Sequence, residues 1–278
     1  MLDSGLIPRA VRIPMSEPVL LHRDGTIATL TLNRPDARNA MTPPMGEEVR
    51  RAVEEVRSDA RLRVLVVTGA GKAFSGGGDL GMLARDAGLS DAGEHGMGGP
   101  PREFYKRFLS IQSLPIPTIA AINGHAIGAG LCFALACDIR IAVADAKMGM
   151  TFTKLGIHPG MGASHFLPRL IGTARACELL FTGRIIDAAE AERIGILSRV
   201  VARDAFPAAV SELATEIAAA APIAVRMVKR ALYRGVESSL DDALDLESMQ
   251  QSATFQTTDA REGIRAIMEK REPRFVGR

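Results

Sequence analysis

The chain has 278 residues, enough for one large domain or for a core with a smaller appendage. It is 47% hydrophobic but only 4% aromatic, and its net charge of +2 argues against nucleic acid or a membrane surface as the main partner. No apolar run reaches the roughly 20 residues of a membrane-spanning helix. Residues 1–17 lack the apolar core of a secretory signal, so we expect a flexible leader on a cytoplasmic protein.

Residues 18–203 alternate apolar runs and helical patterns, which predicts an α/β core. A hairpin turn is expected at residues 23–25, and Thr42 is expected to cap the helix that follows. The predicted strands are 19–22, 26–32, 62–68, 118–122, 138–143 and 147–151, and the predicted helices are 43–57, 102–112 and 131–137.

Residues 204–278 change character and form a predicted C-terminal helical region. Apolar periodicity indicates helices over residues 204–220, 222–234, 238–255 and 259–270. Lys270 and Arg271 would lie in the last turn of the fourth helix, where positive charge complements the helix dipole.

Three cysteines, Cys132, Cys137 and Cys177, lie in apolar surroundings and none forms a C-x-x-C pair. This pattern predicts buried free thiols in a reducing compartment. No spacing of histidine, cysteine and carboxylate residues suggests a metal site.

Two glycine-rich junctions between a strand and a helix carry the strongest functional signal. Residues 75–78 (SGGG) follow the strand at 62–68, and residues 128–130 (GAG) follow the strand at 118–122. The first N–H groups of a helix have no partner within the helix, and small residues let a ligand oxygen approach them. Such a junction suits an anion or a carbonyl oxygen that becomes negative, although a tightly packed turn would have the same composition.

Residues 85–101 contain five glycines and two prolines, which predicts a mobile loop. Its position after the first glycine-rich junction fits either a lid over a substrate or a surface insertion. Glu94 and His95 lie within it and would enter the site only if it closed.

Seven motifs in order resemble those of the enoyl-CoA hydratase/isomerase (crotonase) family. The resemblance covers residues 18–277 and rests on LNRPDARNAM, KAFSGGGDL, AAINGHAIGAG, CDIRIA, LGIHPGMGA, LLFTGR and TDAREGIRAIMEKR. It implies an α/β fold in which ββα units wind into a spiral, followed by a C-terminal helical region that builds a homotrimer, often doubled to a hexamer.

The resemblance also implies an oxyanion hole made of the backbone N–H groups of Gly78 and Ala129. These would hold the oxygen of an acyl-CoA thioester as it becomes an enolate. Coenzyme A enters as part of the substrate, and no separate cofactor is implied. The positions that match coenzyme A contacts are Ala37, Arg38, Gly76, Gly78, Asp79, Leu80 and Lys270, with Arg38 standing in for the lysine that the family often has at Asp36.

The two glutamates of the family's hydratases fall at Cys132 and Phe152 in this chain. Phenylalanine transfers no proton and a thiol is a poor match for a water-activating carboxylate. His158 is therefore a candidate for proton transfer, with His125 and Lys154 as further polar groups nearby. Asp79 is expected to cap the short helix that follows it.

The sequence leaves several reactions open. It fits a hydratase or isomerase with a displaced acid and base, and KLGIHPGMGA resembles relatives that decarboxylate acyl thioesters. A thioester hydrolase and a member that binds acyl-CoA without chemistry also remain.

Overall fold

The computed structural model describes residues 17–89, 96–97 and 99–278. Its strands are β1 (Val19–Asp24), β2 (Ile27–Leu32), β3 (Val64–Gly69), β4 (Ala73–Ser75), β5 (Thr118–Ile122), β6 (His125–Ile127), β7 (Ile139–Val143), β8 (Lys147–Gly149), β9 (Ile185–Asp187) and β10 (Arg199–Val201). Its helices are α1 (Pro43–Ser58), α2 (Leu80–Asp86), α3 (Pro101–Leu109), α4 (Ala129–Leu135), α5 (Ala163–Ile171), α6 (Thr173–Thr182), α7 (Ala188–Arg193), α8 (Phe206–Ala219), α9 (Pro222–Gly235), α10 (Leu240–Phe255) and α11 (Thr258–Met268).

The larger sheet has six strands in the order β1-β2-β3-β5-β7-β10. The first pair is antiparallel and every later pair is parallel, as the alternation of strands and helices predicts. All six residues of β3 are buried, because helices cover both faces of a parallel sheet. The predicted α/β core is therefore confirmed, and β5 has the predicted bounds.

The smaller sheet positions the site. Its order is β4-β6-β8-β9, and β4 runs parallel to β6 with Ala73 opposite His125 and Ser75 opposite Ala126. Parallel neighbours end at the same edge of a sheet, so the segments after β4 and β6 emerge side by side. These segments are the two glycine-rich junctions. Strands β4 and β6 were not predicted, because three residues are too few to show a period.

Several predicted boundaries need correction. Helix α4 begins at Ala129, two residues before the predicted start, because Gly128 takes a positive φ of 53° and serves as its N-cap. The first hairpin turns at residues 25–26 rather than over residues 23–25, since β1 continues to Asp24, which pairs with Ile27. Helix α11 ends at Met268, so Lys270 and Arg271 lie beyond its last turn.

Other local predictions are confirmed. The Thr42 side chain accepts a hydrogen bond from the Met45 N–H and caps α1. Asp79 caps α2 by accepting from the Gly81 and Met82 N–H groups. Cys132 and Cys137 are buried free thiols, but Cys177 is only half-buried because it lies on the outer part of α6.

The C-terminal helices are joined to the core through polar contacts. Arg63, just before β3, donates to the carbonyl oxygens of Ala218 and Phe275. Lys229 on α9 pairs with Asp138 at 2.7 Å. Apolar side chains of α9 and α10 nevertheless stay exposed in the single chain, among them Val228, Leu232, Leu244 and Met249.

Within the described ranges, no single helix is long and apolar enough to cross a bilayer. Helices α8 and α9 meet that criterion only when taken together, and the chain bends by 105° between them.

Candidate active site

The two glycine-rich junctions touch each other, and two glycines make this contact. Gly77 has a φ of +94°, and a Cβ on it would lie 2.6 Å from the Ile127 carbonyl oxygen and 3.4 Å from the Ala129 nitrogen. A Cβ on Gly130 would lie 2.6 Å from the Cβ of Ser75. Only residues without a Cβ allow this approach.

At this contact the backbone N–H groups of Gly78 and Ala129 have no hydrogen-bond acceptor among the described residues, and neither has that of Gly130, the next residue of α4. The other amides beside them are occupied. Gly76 donates to the Arg38 oxygen at 2.8 Å, Gly77 to the Ser75 hydroxyl at 3.2 Å, Asp79 to the Met41 oxygen at 3.1 Å and Gly128 to the Gly149 oxygen at 2.7 Å. Native backbone amides rarely stay unpaired, and of these three residues Gly78 and Ala129 also line a cavity.

Both amides border a cavity of about 270 Å³. Its walls are mostly apolar, and the polar side chains among its described lining residues are Tyr105, Thr151 and His158. No carboxylate belongs to that lining. The remaining members are Gly76, Gly77, Gly78, Leu80, Met82, Leu83, Met97, Phe104, Gly128, Ala129, Phe152, Leu155, Ile157 and Met161.

The two positions that match the family's glutamates differ in environment. Phe152 lines the cavity close to Gly128. A Cβ on Gly128 would lie 3.9 Å from the phenyl ring of Phe152. Cys132 is fully buried outside the lining, and its Sγ donates to the Gly160 oxygen at 3.6 Å. Burial raises the pKa of the Cys132 thiol far above its ordinary value. At neutral pH this thiol therefore stays protonated and cannot act as a base.

Among the histidine and lysine candidates that lie in the described residues, only His158 lines the cavity. Its side chain is exposed, and Nδ1 lies 2.8 Å from the Pro159 oxygen. A carbonyl only accepts hydrogen bonds, so Nδ1 carries the proton and Nε2 of the neutral ring is left as the basic atom.

The other candidates lie elsewhere. His125 points away from the cavity lining, and its Nδ1 accepts from the Lys147 N–H at 3.0 Å. Lys154 packs against Gly183 instead. Glu94 and His95 fall outside the described residues, as does part of the predicted mobile loop over 85–101. From the described part of that loop, Met97 reaches the cavity, and its N–H donates to the carboxylate of Asp86.

The positions matched to coenzyme A contacts form a group near the cavity, except for one. The hydrogen bond from the Gly76 N–H to the Arg38 oxygen joins the turn that contains Ala37 to the first glycine-rich junction. Arg38 is exposed and has no ion pair with any described residue. Leu80 is 72% exposed at the cavity rim. Lys270 lies after α11, outside the lining, with a φ of 54°.

The sequence did not single out two of the polar lining residues. One is Thr151, in the turn after β8, and the other is Tyr105. It lies on α3 in the segment REFYKRF, which shows only the period of an amphipathic helix. Nothing in that pattern distinguishes a tyrosine that borders a cavity from one that packs in the core.

Comparison with known proteins identifies the architecture. The sequence model described as enoyl-CoA hydratase/isomerase matches residues 22–278. The chain belongs to the enoyl-CoA hydratase/isomerase family. The "Crotonyl-CoA hydratase" of Syntrophomonas wolfei is 36% identical over 263 residues, which cover 94% of this chain and 99% of that protein. The "Probable enoyl-CoA hydratase echA8" of Mycobacterium tuberculosis is 40% identical over 262 residues, again 94% of this chain and 99% of the relative.

Solved structures of the enoyl-CoA hydratase/isomerase family agree. The crystal structure of an enoyl-CoA hydratase from Bacillus anthracis superposes with a TM-score of 0.85 and 35% identity, covering 94% of this chain and 100% of that one. The predicted crotonase-type fold is thus confirmed. The division at residues 17 and 203 stays a prediction.

Proposed function

We propose that this member of the enoyl-CoA hydratase/isomerase family binds an enoyl-CoA thioester and transfers protons beside the thioester through an enolate. The observation that carries the proposal is that the N–H groups of Gly78 and Ala129, at the edge of one cavity, have no acceptor in the described part of the chain. Two such donors stabilise the negative oxygen of an enolate, and removal of one donor typically lowers the rate about 100- to 1,000-fold.

His158 is the proposed proton-transfer group. Its Nε2 is free to accept while Nδ1 is held by the Pro159 oxygen. In the enolate mechanism, Nε2 takes a proton from the γ-carbon of a 2-enoyl thioester such as crotonyl-CoA, and the electron pair of that C–H bond moves through the double bond onto the thioester oxygen. Returning the proton to carbon regenerates the neutral imidazole.

The coenzyme A end of the substrate is proposed to follow the first glycine-rich junction. Arg38, which is exposed and forms no ion pair within residues 17–89, 96–97 and 99–278, supplies a cation there for a phosphate group. Ala37, Gly76, Asp79 and Leu80 border the path. Lys270 is proposed to reach the coenzyme A bound by a neighbouring subunit. This would require the homotrimer or hexamer that the exposed apolar side chains of α9 and α10 favour, and light scattering on the purified protein would measure that assembly.

The test uses crotonyl-CoA in deuterated water, with mass spectrometry of the thioester. We expect water addition or uptake of deuterium into the acyl chain, both above background. His158→Gln should lose this activity, while His165→Gln serves as the matched control because His165 is exposed on α5 and does not line the cavity. Tight binding with neither product would leave only acyl-CoA binding and refute the catalytic proposal.

Decarboxylation of a malonyl-type thioester is a second candidate. The observation that favours it is a described cavity lining with no carboxylate and with Phe152 in it. Loss of carbon dioxide generates the enolate directly, so this reaction needs an oxyanion hole and a proton donor but no base. Release of carbon dioxide from methylmalonyl-CoA, without turnover of crotonyl-CoA, would establish it over the first proposal.

A further inference from the structure

The Ser75 hydroxyl is a buried polar group that the proposed chemistry does not use. Ser75 is the last residue of β4 and is fully buried. Its hydroxyl donates a hydrogen bond to the Asn39 carbonyl oxygen at 2.8 Å and accepts one from the Gly77 N–H at 3.2 Å. The hydroxyl therefore joins the segment before α1 to the backbone of the first glycine-rich junction.

Asn39 is a fixed anchor for this hydroxyl. Asn39 is fully buried, and its side-chain oxygen accepts a hydrogen bond from the Arg34 N–H at 2.9 Å. Its side-chain nitrogen donates to the carbonyl oxygens of Ala70 and Ala73 at 2.9 and 2.8 Å. These three bonds hold Asn39 between two segments of the chain, so the Ser75 hydroxyl is tied to a rigid part of the core.

The peptide group between Gly77 and Gly78 is oriented by a different bond. The Gly77 carbonyl oxygen accepts a hydrogen bond from the Met41 N–H at 2.7 Å. In a trans peptide the C=O and N–H bonds point in opposite directions, so the Gly78 N–H points away from Met41. This N–H is one of the two proposed oxyanion donors, and the bond from Met41 therefore sets its direction.

Gly77 is restrained on both of its sides. Glycine has the widest range of backbone angles, but here Ser75 holds the Gly77 N–H and Met41 holds the Gly77 carbonyl oxygen. The two bonds together maintain a conformation with a φ of +94°. Without the Ser75 hydroxyl, the buried Gly77 N–H would lose its acceptor. The peptide group that carries the Gly78 N–H would then be restrained by the bond from Met41 alone.

Ser75 also touches the second glycine-rich junction. A Cβ on Gly130 would lie 2.6 Å from the Cβ of Ser75 and 2.7 Å from its Oγ. Gly130 follows Ala129 in the first turn of α4. Ser75 thus contacts both junctions, yet it is not among the described residues that line the cavity. It can act on a ligand only through the backbone that it holds.

We propose that Ser75 is a positioning residue for the oxyanion hole. Its hydroxyl holds the Gly77 backbone so that the Gly78 N–H reaches the thioester oxygen together with the Ala129 N–H. This inference rests on the proposed binding of an acyl-CoA thioester at these two amides. The hydroxyl keeps its proton and touches no substrate atom. Its removal should weaken the stabilisation of the enolate oxygen far more than the binding of the thioester, because the proposed contacts to coenzyme A remain.

The experiment uses butyryl-CoA labelled with ¹³C at the thioester carbonyl, and infrared difference spectroscopy of the bound ligand. This saturated thioester has no double bond to hydrate, so the measurement does not depend on which reaction the protein catalyses. Hydrogen bonds to a carbonyl lower its stretching frequency, and the shift on binding therefore reports the two amides. Ser75→Ala should reduce that shift while the Kd for butyryl-CoA stays within about threefold. With crotonyl-CoA, kcat should fall about 10- to 100-fold and KM should change less than about threefold.

Thr68→Val is the matched control. Thr68 is buried, its hydroxyl donates to the Ala121 oxygen at 2.9 Å, and it does not line the cavity. This variant should lose a comparable amount of stability in urea unfolding and keep both the carbonyl shift and the turnover. Ser75→Cys retains a weaker donor and acceptor at the same place, so its shift and kcat should lie between those of Ser75→Ala and the unaltered protein. Ser75→Cys also carries the comparison if Ser75→Ala does not fold.

The outcomes separate this inference from the proposed function. The role of Ser75 is overturned, while thioester binding stands, if Ser75→Ala keeps the full carbonyl shift and kcat, or if Thr68→Val loses them equally. A rise in KM with kcat unchanged would also overturn it, since that result places Ser75 in ground-state binding. If the unaltered protein does not bind butyryl-CoA, or binds it without lowering the carbonyl frequency, the proposed function fails and the inference fails with it.

Discussion

Replacing Gly77 with alanine is expected to separate the two glycine-rich junctions. The new Cβ would lie 2.6 Å from the Ile127 carbonyl oxygen, 0.8 Å closer than the 3.4 Å where ordinary contact begins. Ile127 ends β6 and lies two residues before Ala129, so relief of this contact moves the Ala129 amide away from Gly78. Gly77 also has a φ of +94°, which alanine rarely adopts.

The expected loss of stability in Gly77→Ala has two parts. A positive φ costs a non-glycine residue roughly 1–2 kcal/mol, and forcing an extra carbon into a packed region adds about 1–3 kcal/mol. Gly77→Ala should therefore lower the free energy of unfolding by about 2–5 kcal/mol. If the Ala129 amide is an oxyanion donor as proposed, its displacement should in addition lower kcat/KM about 100- to 1,000-fold.

Gly25→Ala is the control that isolates the cost of a positive φ. Gly25 has a φ of +56° in the turn after β1, and a Cβ there would meet nothing within 4 Å. Urea unfolding and turnover of crotonyl-CoA should be measured for both variants. The control should lose about 1–2 kcal/mol and keep its activity. If Gly77→Ala proved no less stable than Gly25→Ala and equally active, the two junctions would not hold each other in the way described.

Three further predictions concern other parts of the molecule. Asn39→Ala should lower the free energy of unfolding by about 2–4 kcal/mol, because the buried Asn39 side chain makes three hydrogen bonds to the backbone. Chemical denaturation measures this loss, and a loss under about 1 kcal/mol would contradict the prediction. Tyr233→Phe should cost only about 0.5–1.5 kcal/mol, since it removes the 2.6 Å hydrogen bond to Asp138 from a half-exposed side chain, and the same denaturation assay should show that small loss. At pH 8, a thiol reagent should modify at most one cysteine per native chain, Cys177, and all three after denaturation. Burial keeps the other two thiols protonated, raising the pKa of Cys137 to about 12. Rapid modification of a second thiol in the native protein would show that the core is more open than described.

Local features of the sequence determined much of this protein. The β-branched run at Thr118–Ile122 predicts β5 with its observed bounds, because a strand buried on both faces needs only apolar residues. Thr42 and Asp79 predict the starts of α1 and α2, because an N-cap contacts residues only two or three positions further along the chain. Gly76–Gly78 and Gly128–Gly130 mark both junctions, and the order of motifs indicates the family.

Only the tertiary structure brings the two glycine-rich junctions into contact. This contact depends on the pairing of β4 with β6, two three-residue strands about 50 positions apart whose pairing has no local signature. Long-range packing also decides that Phe152 lines the cavity whereas Cys132 is buried beside it. Tyr105 reaches the site only because α3 packs on α4 through Phe108 and Phe133. Residue types fix which chemistry a chain offers, whereas long-range packing fixes which of those groups meet in one cavity.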